Sequence, residues 1–301
     1  MKLFLRITLI ILLILAFLVA CATTEQKKGN DYRNWCKFWS LRVKGHPDES
    51  ITHYNKAIEL DPRDSLAYRC RGAAYLEKGQ YDKAISDQNK AIELNPGDAW
   101  AYNLRGVAYL EKGQYDKAIS DYNKAIKISP WNYIPNINRG IAYFEKGQYD
   151  KAISDYNKAI KLNRWVALTY IRRGIAYDRK GQYNKAILDY NKAIEVNSND
   201  PSAYNGKAWI LSTCPDARYR NGIKAIELAK KALELETRAT FVDTLAAAYA
   251  EAGNFEDAII TQKKAINMLK RKSVTKIEID DYKERLNFYK SGKPWRQIQR
   301  K

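Results

Sequence analysis

Gly72, Gly106, Gly140 and Gly174 stand 34 residues apart, and Gly79, Gly113, Gly147 and Gly181 keep the same interval. Between and beyond each pair the text recurs almost letter for letter, as in GVAYLEKGQYDKAISDYNKAI over residues 106–126. A unit this short cannot cover its own apolar faces, so copies must stack on their neighbours. The chain therefore reads as one elongated array, not as the two globular domains that 301 residues would otherwise imply. Composition allows the packing. Hydrophobic residues make up 46%, while 8 Pro and 15 Gly are too few for a collagen-like or linker-dominated chain.

Inside the unit, Ala118 and Ala125 are seven residues apart, hence on one helical face, with Gly106 on the helix opposite. Small residues there let two helices approach closely, and Tyr109 and Tyr122 fill the gaps beside them. Gly113 ends the first helix, where the left-handed backbone region costs glycine little. In residues 99–132, Tyr102, Gly106, Tyr109, Ala118, Tyr122, Ala125 and Pro130 together resemble the tetratricopeptide repeat, a helix–turn–helix unit. The resemblance implies an all-α fold, a right-handed α-solenoid of such hairpins with a C-terminal capping helix. In that frame the array spans residues 31–272. A degenerate unit at 31–64, with Phe38 where glycine is expected, precedes regular units at 65–98, 99–132, 133–166 and 167–200. A unit with a short insertion around Pro215 follows at 201–238, then a last unit at 239–272 and a basic capping helix and tail at 273–301.

Residues 1–20 read as an export signal. Lys2 and Arg6 precede an apolar run over residues 7–20 whose helical length, about 21 Å, falls short of the ~30 Å hydrocarbon core. The run ends Leu18-Val19-Ala20-Cys21, which resembles the lipobox of bacterial lipoproteins. That resemblance implies cleavage before Cys21, lipidation of its thiol and a stable anchor in the cell envelope. Ala22, in place of Asp, implies the outer membrane, facing the periplasm, if the source is Gram-negative. An ordinary secretory signal is the alternative. Residues 21–30 read as a short polar tether.

Most of the 22 tyrosines fall at packing positions, and the repeating lysines interleave with Asp116 and Asp121 as a solvated mixed-charge face. Arg71, Arg105, Arg139 and Arg173 recur in step with Asp87, Asp121, Asp155 and Asp189, which predicts an Arg–Asp ladder between paired helices. Cys36 and Cys70 are one period apart. Helices stacked about 8–10 Å apart would hold them too far apart for a disulfide, so both are expected to be reduced. Cys214 reads as a small buried hydrophobe. His46 and His53 match no metal or catalytic spacing, and no nucleophile, metal or phosphate-binding motif is present. The expectation is a non-enzyme with no cofactor and no metal. Thirteen Lys or Arg against four Asp or Glu in residues 263–301, with Trp295 nearby, leave a second possibility of contact with anionic lipid or polymer. The chain's charge of +18 favours anionic partners, but export disfavours nucleic acid.

The repeat resemblance also implies where a partner sits: the first helix of each unit lines a groove, with positions 2, 5, 9 and 12 facing the ligand. Those positions hold Leu66, Arg69, Ala73 and Leu76, then Trp100, Asn103, Val107 and Leu110, then Ile134, Ile137, Ile141 and Phe144, then Leu168, Ile171, Ile175 and Asp178. The strip is largely apolar on an otherwise charged chain, which fits a peptide segment or helix of an envelope protein. The alternative is that these side chains pack against neighbouring first helices or a terminal segment.

Overall fold

Every element in the computed structural model, which describes residues 47–270 and 276–297, is helical. Among the described residues there are fourteen α-helices, one short 3-10 turn and no strand. They come in pairs. Helix α1 (Pro47–Leu60) comes first and packs on the helix that follows it. Helices α2 (Ser65–Glu77) and α3 (Tyr81–Leu94) pack as one pair and α6 (Ile134–Glu145) and α7 (Tyr149–Leu162) as another, with α4 (Ala99–Glu111) and α5 (Tyr115–Ile128) between them in chain order. Then come α8 (Ala167–Arg179) with α9 (Tyr183–Val196), α10 (Pro201–Thr213) with α11 (Gly222–Leu235), and α12 (Ala239–Glu251) with α13 (Phe255–Lys270). Helix α14 (Lys276–Lys290) closes the series.

Local chemistry sets these boundaries. Asp64, Asp98 and Asp200 cap α2, α4 and α10, each carboxylate accepting backbone N–H groups of the first turn that have no partner inside the helix. Gly113 takes φ 70°, and its counterparts in the other regular units do likewise, so each first helix stops where only glycine adopts the turn without strain. Around Pro215 the insertion forms the 3-10 turn Ala217–Tyr219 before α11 begins.

The chain divides into two compact units, Met1–Gly113 and Gln114–Lys301. The division falls inside the repeat at 99–132, not at its end. In the second unit each hairpin packs on the next, and first helices also touch first helices: α6 meets α8, α8 meets α10 and α10 meets α12. Second helices do not approach one another as closely. The first helices thus form the tighter layer, the inner side of any stack that curves.

Alanines at the helix crossings are fully buried, Ala152, Ala159, Ala186 and Ala193 among them. The Tyr156 ring lies where a Cβ on Gly140 would be, 2.6 Å from that position. Tyr190 crowds Gly206 of the following repeat just as closely. The small residue on one helix and the ring on the other are one packing device. In the repeat at 65–98 the aromatic is replaced by Gln88, whose amide donates to the Arg69 carbonyl oxygen at 2.9 Å.

The Arg–Asp ladder is present. Arg71, Arg139 and Arg173 each make paired hydrogen bonds of 2.6–2.8 Å to Asp87, Asp155 and Asp189. Each guanidinium donates a third bond to an asparagine of the preceding second helix: Asn55, Asn123 and Asn157 in turn. The lysines are also paired. Lys78, Lys112, Lys146 and Lys180 reach Asp48, Asp82, Asp116 and Asp150 of the preceding unit, at exposed sites where such contacts contribute little.

One expectation is overturned. Cys70 is disulfide-bonded, not reduced, and its partner lies outside the described residues. The predicted separation assumed that residue 36 rides on a regular stacked helix, and that assumption has no support from Phe38 standing where a close-packed glycine is required. Cys214 is a free, buried thiol in the core around Tyr183 and Tyr190, and burial pushes its pKa up. The export signal, Cys21, the tether, Cys36 and His46 all lie outside the described residues, as do residues 271–275 and 298–301.

Candidate functional site

The predicted groove positions separate by burial. Position 5 belongs to the core: Arg69, Asn103, Ile137 and Ile171 are 9%, 3%, 5% and 4% exposed. Arg69 is also engaged, its guanidinium donating to Asp98 at 2.6 Å. Leu66, Trp100, Val107 and Leu110 in the first unit are half-buried, as are Ile134, Ile141, Phe144 and Ile175 in the second. Leu168 is exposed. In the second unit, where α6 and α8 are neighbours, Ile134, Ile141, Phe144, Leu168 and Ile175 therefore keep apolar surface open on the inner layer. Position 5 is different because it faces the adjacent first helix, which the spacing of the inner layer brings into contact.

Further along the same layer the face is occupied. Helix α14 ends at Lys290, Gly292 follows with φ 67°, and residues 293–297 turn back onto the first helices. Trp295 packs on Trp209 of α10, ring centroids 5.7 Å apart. Arg285 of α14 lies over both rings, at 5.8 and 5.5 Å, while its Nε donates to Asp243 of α12 at 2.8 Å. Arg296 reaches Glu251 at the end of α12, at 2.5 Å, and Arg220 binds the other oxygen of that carboxylate at 3.0 Å. The backbone N–H of Gln297 donates to the Thr213 carbonyl at 3.0 Å. Its side-chain oxygen accepts from Trp209 Nε1 at 3.1 Å, and its nitrogen donates to Asp178 Oδ1 of α8 at 3.0 Å. Burial pushes the Asp178 carboxyl above its ordinary range, and the Gln297 amide pulls it partly back.

Asp178 is a predicted groove position, and Trp209 occupies position 9 of the next unit. Sequence reading missed Trp209, Glu251, Arg285 and the inward fold of Trp295–Gln297. Extending the same frame past residue 178 would have found Trp209. Nothing local marks Glu251 or the tail, because their pairing spans residues far apart in the chain. Among the described residues no cluster of side chains could hold a metal ion.

Family models for the tetratricopeptide repeat match residues 99–132, 137–165 and 167–200, and related models match residues 72–113 and 53–86. The chain carries tetratricopeptide repeats, and its fold is the all-helical stack of that class. No curated protein matches it. Among solved structures it is similar to a tetratricopeptide repeat protein from Parabacteroides merdae, at 19% identity over 87% of this chain and 98% of that one, TM-score 0.61. It is also similar to a chain of the APC/C hetero-tetramer Cut9–Hcn1, at 20% identity over 85% of this chain and 49% of that one, TM-score 0.65. The structure of MamA aligns at 29% identity over 52% of this chain and 92% of that one, TM-score 0.47.

Proposed function

We propose that the chain is a protein-binding module without chemistry of its own, held at the bacterial envelope by a lipid on Cys21. The observation that carries the binding role is the strip Ile134, Ile141, Phe144, Leu168 and Ile175. These apolar side chains sit on the tighter helix layer of the second unit and are only partly absorbed by its core. A peptide segment or short helix of an envelope protein fits that chemistry. The disulfide at Cys70 supports export, since such bonds persist outside the reducing cytosol. A lipid- or polymer-binding role for the basic C-terminus loses its aromatic residue, because Trp295 is packed on Trp209.

The test has two arms. The mature chain is used to capture partners from an extract of its own envelope, beside an Ile141→Glu, Ile175→Glu double variant. A partner held through high salt and lost in the variant supports the reading, because apolar contacts survive screening that removes ionic ones. Capture by both proteins alike, or capture abolished by salt, defeats it. For the anchor, Cys21→Ser should leave a precursor that takes up no labelled fatty acid, and normal labelling would refute it.

A further inference from the structure

The chain carries a charge of +18, yet the inner face of α8, α10 and α12 presents two partly enclosed carboxylates, Asp178 and Glu251, beside an indole, Trp209. Three consecutive residues of the chain's own C-terminal segment engage this set. Trp295 covers the indole, Arg296 meets Glu251 at 2.5 Å, and Gln297 bridges Trp209 and Asp178 through both ends of its amide. A main-chain bond from Gln297 to the Thr213 carbonyl aligns the segment along the end of α10. Arg296 also donates to the Ser212 carbonyl at 3.3 Å. Side chains in three distinct sites together with a main-chain bond are how an extended peptide is recognised, not how a solvated tail rests on a surface.

We propose that this face is a second recognition site, for an extended peptide bearing an aromatic residue, an arginine and a carboxamide in succession, and that residues 295–297 fill it in cis. The inference rests on the reading of the first-helix layer as a protein-binding surface and adds the ligand chemistry of its C-terminal part. The tail is a covalently tethered competitor, so an incoming segment has to displace it. Tethering gives the tail an effective concentration on the order of millimolar. The site is therefore closed to weak ligands. Without the tail, Glu251 would keep only Arg220 and Asp178 would lose its amide donor, so the emptied face favours a cationic replacement.

The probe is a fluorescent peptide of residues 293–301, KPWRQIQRK. It is titrated into the full chain and into an Arg296→Glu, Gln297→Ala variant in which the tail's grip is broken. The variant should bind the peptide at least about tenfold more tightly than the parent. Adding Glu251→Gln to the variant should weaken binding by about tenfold or more. A variant with unchanged helical content that binds no better than the parent overturns the proposal, as does binding indifferent to Glu251→Gln. Should the variant fold poorly, hydrogen exchange on the parent decides. The Gln297 amide should be protected and lose protection as free peptide is added, whereas exchange at the rate of an unstructured chain refutes the contact. Exchange of tails between two copies, seen as a concentration-dependent dimer, refutes the assignment in cis. These readouts use a defined peptide, so their failure leaves the apolar strip on α6 and α8 and its capture experiment untouched.

Discussion

A methyl group on Gly140 would stand 2.6 Å from the Tyr156 ring, closer than side chains tolerate, and that ring is itself 1% exposed and has nowhere to move. Gly140→Ala should therefore cost about 1–3 kcal/mol, read as an earlier midpoint in denaturant. Gly97→Ala, where the added group meets only the Asn95 side chain at 3.4 Å, should change stability by no more than about 0.5 kcal/mol. The pair of measurements separates a packing requirement from mere repetition. Asp155 is 2% exposed and makes both bonds to Arg139, so Asp155→Asn should cost about 1–3 kcal/mol by leaving a half-buried guanidinium without its carboxylate. Position 5 follows the same logic. Ile137→Glu puts a charge into the core and should unfold its hairpin, whereas Ile141→Glu, at a half-buried site, should leave the far-ultraviolet circular dichroism in place.

Each hairpin depends on its neighbours, and the last one depends on α14. That helix is polar by composition, yet Tyr282, Leu286 and Tyr289 are buried on one side of it, against α12 and α13. Sequence spacing predicted a closing helix over roughly these residues; it did not show which face would be covered. Arg285 explains part of the geometry. Its guanidinium pairs with Asp243 and lies over Tyr282 at 4.6 Å, so one cation both caps the core and supports the indole pair that holds the tail. Leu286→Ala should cost about 2–4 kcal/mol and loosen α13 along with α14, seen as faster hydrogen exchange in both.

At the scale of the molecule the cysteines are the most direct reporters. A fragment beginning at residue 22 retains Cys36, Cys70 and Cys214. With Cys70 bridged, Cys214 free and Cys21 removed, Cys36 is the one cysteine left to pair, so denatured protein should titrate one thiol before reduction and three after. Three thiols at the outset would mean that the bridge does not form. The sequence reading placed Cys36 and Cys70 in equivalent slots of adjacent hairpins and inferred that they stay apart. That argument holds only for a regular array, and regularity fails first at its ends.

The amino-acid text set the repeat glycine against alanines, not against the ring that Tyr156 lays beside Gly140. By itself it determined the helical pairing, the glycine stops between paired helices and the Arg–Asp ladder. All of these follow from interactions inside one repeating unit or between successive copies. It did not determine which groove positions remain open. Burial at position 5 is decided by how closely neighbouring first helices approach, a distance that no single unit encodes. Nor did it reveal the tail on α8, α10 and α12, because Asp178 and Gln297 are 119 residues apart and the bond between them leaves no periodic trace. Local propensity and short-range pairing are written in the chain, whereas contacts that close over long loops exist only once the whole stack has formed.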